Sequence, residues 1–481
     1  MDFDSRLDRR AALLGGCAVS LSAVVPLEAA RAVQLPRGRV VSVEDFGARA
    51  GSGRDDTQAI QMAIDTVQRS GGGTVLVPGR YRCGNIVISG ANVRIQGRSG
   101  WLQDGRLTVK PTASNVEVAD LGIVSTTGQA SAYLLDVSGR NCRFTNLELV
   151  KDPIAGGYQG YIRQVSSGCS FDGLRLRGSN GLLVAGTDHV FENFDLQSTM
   201  TAGVGGDDAF AIKALEGLTQ NITIRNGLVR GYSAIVSFGS EIGARAGFAG
   251  APGAVRNVTV ENVRAELCTS LVFFKPGALI YEWRNGVVEH VKLANLTLDD
   301  PTGRYFQSGI RIYAARGAIV RDVQATGIRI NARAKTRGVV PTAALDMTLF
   351  DVGAPARIDD VRVQLAFIDP YAGAPHSAAA PGFPINHVVE IEKRNPAKGS
   401  MSGIVLDVEG TGSSFGGVYV GAGLDRAVQL QRAVLRRVAT DPPATLGGGG
   451  IWSDSSIGLG DVSVDSVRLP KFAGRAFQKP R

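Results

Sequence analysis

The chain has 481 residues, of which 44% are hydrophobic and 20% are charged, and this balance excludes an intrinsically disordered protein. Glycine is abundant and aromatic residues make up only 6%, as expected for many short strands joined by tight turns. The net charge of +8 is not accompanied by a run of Lys and Arg or by a nucleic-acid motif, so we expect no nucleic-acid partner. An acidic polysaccharide partner and simple solubility are the two remaining explanations of the charge.

Residues 1–32 are predicted to be an export signal. Arg9 and Arg10 precede an apolar stretch at 11–25, and Ala30-Arg31-Ala32 forms a small-residue cleavage site. The twin arginine favours export through the Tat route, with Sec export as the alternative. Because no later segment approaches the roughly 20 apolar residues of a membrane span, we expect a periplasmic or extracellular protein.

Residues 33–481 are predicted to form one domain, with an N-terminal cap at 40–90. The cap pattern predicts a strand, a Gly-rich loop, a helix, a glycine turn and a second strand. Asp55 or Asp56 can cap the helix at its N-terminus. The predicted apolar stripe of the helix consists of Ala59, Ile60, Met62, Ala63 and Val67.

This cap resembles the N-terminal signature of the pectate-lyase-like superfamily of right-handed parallel β-helices. In that superfamily, D-F-G-A is followed by a D-D-T helix and a G-G-G-T-V strand, and the same letters occur here between 45 and 75. The resemblance implies that the helix covers the first coil of a solenoid. It does not specify an activity, since hydrolases, lyases, epimerases and phage tailspikes share the signature.

A short pattern recurs after the cap, with an asparagine at the same place in each full copy. A degenerate copy carries Gly173 instead, and the intervals between copies range from 20 to 36 residues. Apolar and polar residues alternate within a copy, which predicts a strand, and the period predicts a stacked β-solenoid. We expect the asparagines to stack as a structural turn ladder. They are Asn146, Asn193, Asn226, Asn262 and Asn295.

Cys142 and Cys169 occupy the same position of adjacent copies. Stacked strands lie about 4.8 Å apart, which is within the range of a disulfide, but parallel side chains point the same way. We therefore expect an inward stack of free cysteines, with a disulfide as the alternative. Two stretches rich in Ala, Pro and Gly, 372–384 and 440–450, are predicted to be external loops.

The segment from Gly206 to Lys213, which reads G-D-D-A-F-A-I-K, resembles the G-D-D-C-I-A-I-K strand of the polygalacturonases, glycoside hydrolase family 28. The resemblance implies catalytic roles for Asp207 and Asp208. Three other family positions differ here. Asn180 stands where the family has the aspartate of N-T-D-G, Tyr232 or Ser233 stands at its histidine, and Phe273 replaces the arginine of R-I-K.

The lysine of that last motif is kept as Lys275, and an Arg311-Ile-Tyr313 strand follows one coil later. Strand parity predicts which side chains share an outward face. We expect two columns along the axis, one with Lys213, Phe238, Lys275 and Tyr313, the other with Ala211, Val236, Phe273 and Arg311.

These observations predict an exported enzyme that cleaves a uronic-acid polysaccharide by hydrolysis, with Asp208 as general acid and Asp207 as its partner. A more distant carboxylate, Asp188 or Asp195, could serve as the second carboxyl. We expect Lys275 to be catalytic as well. The predicted substrate-binding residues are Lys213, Tyr232, Arg311, Tyr313 and Asn180.

Two other functions fit the same residues. A polysaccharide lyase would use Lys275, Arg311 or Tyr232 as the base that takes the proton next to a uronate carboxylate, and calcium could assist it. A non-catalytic glycan-binding β-helix would use the groove without cleaving. For a hydrolase we expect no metal and no other cofactor. The oligomeric state is not predicted.

Overall fold

The chain divides into two units, Met1–Gln34 and Leu35–Arg481, in a computed structural model. The description covers residues 38–473, apart from the following gaps: 127–132, 152–156, 200–205, 216, 246, 248–249, 278–282, 303–304, 333–342, 351, 369–386, 395–398, 412–417, 422–423, 425–426, 437–450, 454–456, 465–466 and 469–471. The predicted export signal and the predicted loops at 372–384 and 440–450 lie outside the described residues.

The second unit is a right-handed parallel β-helix, which confirms the stacking that the repeat predicts and the fold that the resemblance of the cap implies. Its described strands form a 22-stranded sheet and a 13-stranded sheet, and nearly all neighbouring strands run parallel. The core lies between the sheets and is filled by stacked aliphatic and phenylalanine side chains, such as Phe144 on Phe171 on Phe191. Each coil therefore buries its apolar face only against its neighbours.

The 13-stranded sheet presents one strand per coil. Its strands are Asn85–Ile88, Arg106–Val109, Leu135–Val137, Tyr158–Ile162, Asn180–Val184, Phe210–Leu215, Ala234–Gly243, Ser270–Phe274, Ser308–Ala314, Ala343–Phe350, His387–Arg394, Val418–Val420 and Ile451–Ser453.

The 22-stranded sheet bends within each coil. Its strands are Arg39–Ser42, Gly73–Leu76, Arg80–Arg82, Val93–Gln103, Glu117–Ser125, Arg143–Thr145, Glu148–Lys151, Ser170–Asp172, Arg175–Gly178, Thr187–Glu192, Asp195–Ser198, Leu218–Arg230, Ala254–Glu266, Val287–Asp300, Ile319–Ala332, Ala356–Ile368, Gly399–Ser402, Ile404–Thr411, Val428–Arg436, Ile457–Val464, Val467–Arg468 and Phe472–Ala473.

The repeat asparagines form the predicted ladder at this bend. All five adopt the left-handed conformation, with φ between 50° and 57°. Asparagine tolerates this conformation better than most residues, and its amide can bond the rung before it. Asn262 Nδ2 donates to Asn226 Oδ1 at 3.2 Å, and Asn295 Nδ2 donates to Asn262 Oδ1 at 3.1 Å. The ladder is therefore structural.

The capping helix spans Thr57–Arg69, after a 3₁₀ turn at Val43–Phe46. Asp56 is the N-cap residue, but the capping bond comes from Asp55, whose Oδ1 accepts from the Thr57 backbone N–H at 2.9 Å. Gln61 bonds both the N–H and the C=O of Val87, and so closes the edge of the first strand of the 13-stranded sheet. The predicted apolar stripe is wrong at Met62, which is 46% exposed, because Ile64 faces the core instead.

The cysteine prediction is confirmed. Cys142 and Cys169 are buried and free, as are Cys83 and Cys268. The Cys142 thiol donates to the Arg140 carbonyl at 3.5 Å, and the Cys169 thiol donates to the Ser167 and Gly139 carbonyls at 3.6 and 3.7 Å, rather than the two forming a disulfide.

Candidate active site

Asp208 lies just before the strand Phe210–Leu215 and is only 1% exposed. Its Oδ2 accepts a hydrogen bond from Ser237 Oγ and another from Lys275 Nζ at 3.1 Å. Its Oδ1 is buried and has no hydrogen-bond partner among the described residues. Burial raises the pKa of Asp208 above its ordinary value, although the charge of Lys275 opposes the shift. Asp208 is thus a carboxyl that binds its proton more tightly than usual.

Asp207 is the exposed member of the acidic pair. Its Oδ2 accepts a hydrogen bond from the Tyr158 hydroxyl at 2.8 Å, and its backbone N–H donates to Asn180 Oδ1 at 3.2 Å. Burial raises the pKa of Tyr158, and the charges of Asp208 and Asp207 raise it further. Tyr158 therefore stays protonated and acts as a donor, while Asp207 carries the carboxyl group that a ligand can reach.

Lys213 and Glu241 add an ion pair to the same face. Lys213 Nζ donates to Glu241 Oε2. The side chain of Lys213 is 10% exposed, and that of Glu241 is 24% exposed. Gly239 makes room for this lysine, since a Cβ there would lie 2.4 Å from Lys213 Nζ. Glu241 is close enough to Tyr158 to contribute to the rise of its pKa. Glu241 is therefore a third carboxylate beside the acidic pair.

Arg311 lies on the C-terminal side of this cluster. Its guanidinium stacks near the rings of Phe273 and Tyr313, at 5.0 and 5.4 Å from their centroids. Its Nε lies 3.5 Å from Asp346 Oδ2, which also accepts from the Tyr313 hydroxyl at 2.7 Å. Burial raises the pKa of Asp346. This end of the site presents aromatic surface around an arginine that faces one buried carboxyl group.

Strand register explains how these side chains meet. Ala211 pairs with Ser237, Ser237 with Phe273, and Phe273 with Arg311. The predicted outward column is therefore wrong by one residue in the strand Ala234–Gly243.

In that strand Ser237 replaces Val236 on the outer face. Phe238 points inward and stacks on Phe274 at 4.4 Å, so its predicted place beside Lys213 is taken by Gly239.

Seven of the predicted residues lie along this face of the 13-stranded sheet. Five of them form the cluster, and two form contacts of their own at its end: Asp207, Asp208, Lys275, Lys213 and Asn180, then Arg311 and Tyr313. This face of the 13-stranded sheet therefore carries the acidic, basic and aromatic groups that the sequence predicts.

Tyr232 does not fit the predicted substrate-binding role. It is fully buried, and its hydroxyl has no hydrogen-bond partner among the described residues. The residue sits in the tight turn that pairs with Gly206, which directs its ring into the core. No ligand in the groove can contact it.

The distant carboxylates Asp188 and Asp195 also lie elsewhere, in the 22-stranded sheet. Asp188 accepts from Asn221 Nδ2 at 2.7 Å, as a rung of a second ladder, and Asp195 pairs with Arg177 and Arg230. Both are structural. Neither can serve as the second catalytic carboxyl.

Three residues of the cluster are absent from the sequence-based prediction: Tyr158, Ser237 and Glu241. Tyr158 pairs in register with Asn180, so the column that contains Asn180 is the signal that could have found it. Predicting the outward position of Ser237 requires the correct register of the strand Ala234–Gly243. Glu241 follows a register shift beside Ile212, which parity alone does not reveal.

Within the described ranges, no group of three or more His, Cys, Asp or Glu side chains is arranged to hold a metal ion. The helix in the same part of the chain is too short and too polar to cross a membrane.

Residues 40–272 match the family described as rhamnogalacturonase A/epimerase, pectate lyase-like. A stretch of 86 residues, 18% of the chain, is 40% identical to alginate lyase 7 and 41% identical to mannuronan C5-epimerase AlgE3, both of Azotobacter vinelandii. The chain aligns with only 8% and 4% of the length of these two relatives.

Two solved structures share the fold. One is a family 28 exopolygalacturonase of Yersinia enterocolitica, with a TM-score of 0.53, 12% identity, and coverage of 90% of this chain and 79% of that one. The other is a mutant tailspike protein of E. coli bacteriophage HK620 in complex with a pentasaccharide, with a TM-score of 0.57, 13% identity, and coverage of 87% and 80%. The chain is therefore similar to this family over residues 40–272, and it has the right-handed parallel β-helix fold of these structures, as its cap predicts.

Proposed function

We propose that the protein is an enzyme that cleaves an acidic, uronic-acid-containing polysaccharide by hydrolysis in the groove around Asp207. The observation that carries this proposal is the cluster itself, in which Asp207, Asp208 and Glu241 surround Lys213 and Lys275 on one open sheet face. Carboxyls supply acid–base chemistry and lysines bind the carboxylates of the polymer. The matched family and its relatives act on polymers of this class by name, which supports the same proposal.

The contacts suggest a revised division of roles. Asp208 has the raised pKa of a general acid, but both of its oxygens are enclosed, so it does not reach a glycosidic oxygen. We assign that contact to Asp207, which is exposed, with Tyr158 orienting it. Asp208 then holds Lys275 in place for a substrate carboxylate.

Glu241 is the second carboxyl in this proposal. Lys213 bonds its Oε2, so Oε1 is the oxygen that can take a proton from water. Inverting hydrolysis needs the two carboxyls on opposite sides of the bond, about 6.5–9.5 Å apart, with the water between them. This proposal takes Asp207 as the acid and Glu241 as the base, and it uses neither Asp188 nor Asp195.

A second candidate is β-elimination or epimerisation of a uronate. It is favoured by the relatives, an alginate lyase and a mannuronan C5-epimerase, and by the cations Lys275 and Arg311 beside the aromatic rings. Lys275 would take the proton next to the carboxylate. Tyr158, whose raised pKa keeps it protonated, would give its proton to the leaving glycosidic oxygen in elimination, or to the opposite face of the same carbon in epimerisation. Only in this case do we expect calcium to assist.

The test is incubation of purified protein with polygalacturonate, rhamnogalacturonan and alginate, reading reducing ends and ultraviolet absorbance together. Hydrolysis gives reducing ends without absorbance, elimination gives both, and epimerisation gives neither but changes the sugar composition. Asp207→Asn and Glu241→Gln should each abolish most of the product. Asp188→Asn is the matched control, because asparagine already fills the equivalent rung at Asn221.

Binding without any product, unchanged in both variants, would favour the non-catalytic glycan-binding alternative. Loss of product in Asp188→Asn as well would show that the variants act through the fold and not through the site.

A further inference from the structure

A second cluster of cationic and aromatic side chains lies on the 13-stranded sheet, on the N-terminal side of the candidate active site. It consists of Arg106, Tyr133, Asp136, Tyr161 and Arg163 and is called the Arg163 cluster. Asp136 pairs in register with Tyr161, and the same outward column continues through Leu183 and Ala211 to Ser237 of the active site. Since strands stack about 4.8 Å apart, Tyr161 lies about 10 Å along the groove from Ala211.

The charges of this cluster do not cancel. Asp136 accepts two hydrogen bonds from Arg163, from Nε at 2.8 Å and from Nη2 at 2.9 Å, and it is also bonded by Arg106 Nη2. Two guanidinium groups therefore share one carboxylate, which leaves a net positive charge. The side chains of Arg106 and Arg163 are 31% and 37% exposed, whereas Asp136 is 8% exposed, so the surface of the cluster is cationic.

The aromatic rings fix the position of Arg163. Its guanidinium carbon lies 4.1 Å from the centroid of Tyr161 and 5.8 Å from that of Tyr133, and the two rings meet edge to face at 5.4 Å. Arg163 Nη1 makes no hydrogen bond to the described residues, so this planar donor is available to a ligand. A preorganised arginine beside half-buried tyrosines suits the carboxylate and the ring of a uronic acid.

The cluster is continuous with the active site. Burial raises the pKa of Tyr161, and Glu241 of the active site is near enough to raise it further. Because Tyr161 lies two strands from Ala211 in the same outward column, one chain of sugars can contact both places along the sheet.

We propose that the Arg163 cluster is a remote binding site for one uronate unit of the bound polymer. Arg163 Nη1 and Arg106 bind its carboxylate, and Tyr133 and Tyr161 pack against the sugar. Because one sugar of an extended chain advances about as far as one strand spacing, this unit lies roughly two units from the cleaved bond. The inference rests on the proposed function for the polymer class, but it does not need cleavage to occur.

The experiment measures binding of oligogalacturonates of graded length by calorimetry, in the Asp207→Asn background that keeps them intact. Adding Arg163→Gln should weaken binding of the longer oligomers roughly tenfold and leave the dimer unchanged. Asp136 keeps Arg106 as a partner in this variant, so the fold should persist. Arg177→Gln is the matched control, because Arg177 also bonds one aspartate but lies in the other sheet.

Tyr133→Leu is a second variant and should weaken the same long oligomers, with an unchanged melting temperature. Equal weakening at every length, or no weakening at any length, overturns the proposal. Length-dependent binding through Arg163 in a wild-type protein that yields no product would reject the proposed hydrolysis and leave this site standing. No binding of oligogalacturonates or of oligoalginates would overturn both.

Discussion

At the scale of single residues, Asp208 has the most unusual surroundings in the site. Burial raises its pKa above the ordinary value of 3.8. Between pH 3.8 and this raised pKa, the unfolded chain releases the proton while the folded chain keeps it. The stability that Asp208 contributes is therefore fully present below pH 3.8 and is lost as the pH rises through the folded-state pKa.

We expect Asp208→Asn, which does not titrate, to gain stability relative to the wild type as the pH rises above 3.8. Melting temperatures of both proteins measured across acidic and neutral pH test this, because other titrating groups cancel in the difference. Asp188→Asn, which changes an exposed ladder residue, should show no such trend. A difference between wild type and Asp208→Asn that stays constant with pH would contradict the raised pKa.

Tyr158 offers a test of the orientation of Asp207. Tyr158→Phe removes one hydrogen bond to a carboxylate, which is worth about 1.5–3 kcal/mol. We expect kcat to fall by at least about tenfold with little change in KM, since the phenol orients a catalytic group and does not hold the polymer. The control is Tyr81→Phe, which removes a similar hydroxyl–carboxylate bond to Glu44 in the cap. An equal loss of kcat in both variants would argue against a specific role of Tyr158.

The acidic pair could be predicted from sequence because a motif marks it. Lys275 could be predicted because strand parity places it on the same face. The sequence does not predict three other members of the cluster, because their placement depends on the register between coils of unequal length. They are Tyr158, Ser237 and Glu241. A slip of one residue turns every side chain of a strand to the opposite face, and this is how Val236 and Ser237 exchange places. The prediction for Tyr232 is wrong for a related reason, since a tight turn sets the direction of its side chain.

At the scale of secondary-structure elements, the asparagine ladder determines where each coil bends. Gly173 is the rung that lacks a side chain, and its φ of 73° is left-handed. Asn146 Oδ1 lies next to Gly173. In other rungs the corresponding amide oxygen accepts a hydrogen bond from the asparagine of the following rung, as Asn226 Oδ1 does from Asn262 Nδ2. The period and the ladder were predictable because the asparagines recur in sequence, whereas the exact strand bounds follow from pairing with neighbours.

Gly173→Asn should be tolerated better than other substitutions here, because asparagine accepts a left-handed φ and its amide can bond the rung before it. The Asn146 amide must shift to admit the new Cβ, which would otherwise lie 2.6 Å from Asn146 Oδ1. Gly173→Ala is the matched comparison and should lower stability by about 1–2 kcal/mol, since alanine gains no bond and is strained at this φ. Chemical denaturation of the three proteins measures both effects. Equal stability of the two variants would contradict a ladder held by side-chain amides.

At the scale of the whole molecule, the repeated apolar pattern is sufficient to predict a stacked β-solenoid, because each coil repeats the same burial. The right hand of the solenoid follows from the resemblance of the cap. The activity is less accessible, since one fold hosts hydrolases, lyases, epimerases and non-enzymatic tailspikes. The site, and not the fold, must distinguish them.

Export remains a proposal drawn from residues 1–32. We expect mature protein recovered from the periplasm or the medium to begin at Val33, which mass spectrometry of the N-terminal peptide can establish. Replacing Arg9 and Arg10 together by lysine should retain the precursor inside the cell if the Tat route is used. Unchanged export of that variant would indicate the Sec route instead.

The most direct test of the groove is the release of reducing ends from polygalacturonate by wild type, Asp207→Asn and Asp188→Asn at equal concentration. We expect steady release by the wild type and by Asp188→Asn, and a loss of about 100-fold or more in Asp207→Asn, because it removes a carboxyl that transfers a proton at the scissile bond. Release by Asp207→Asn at the wild-type rate would contradict the account.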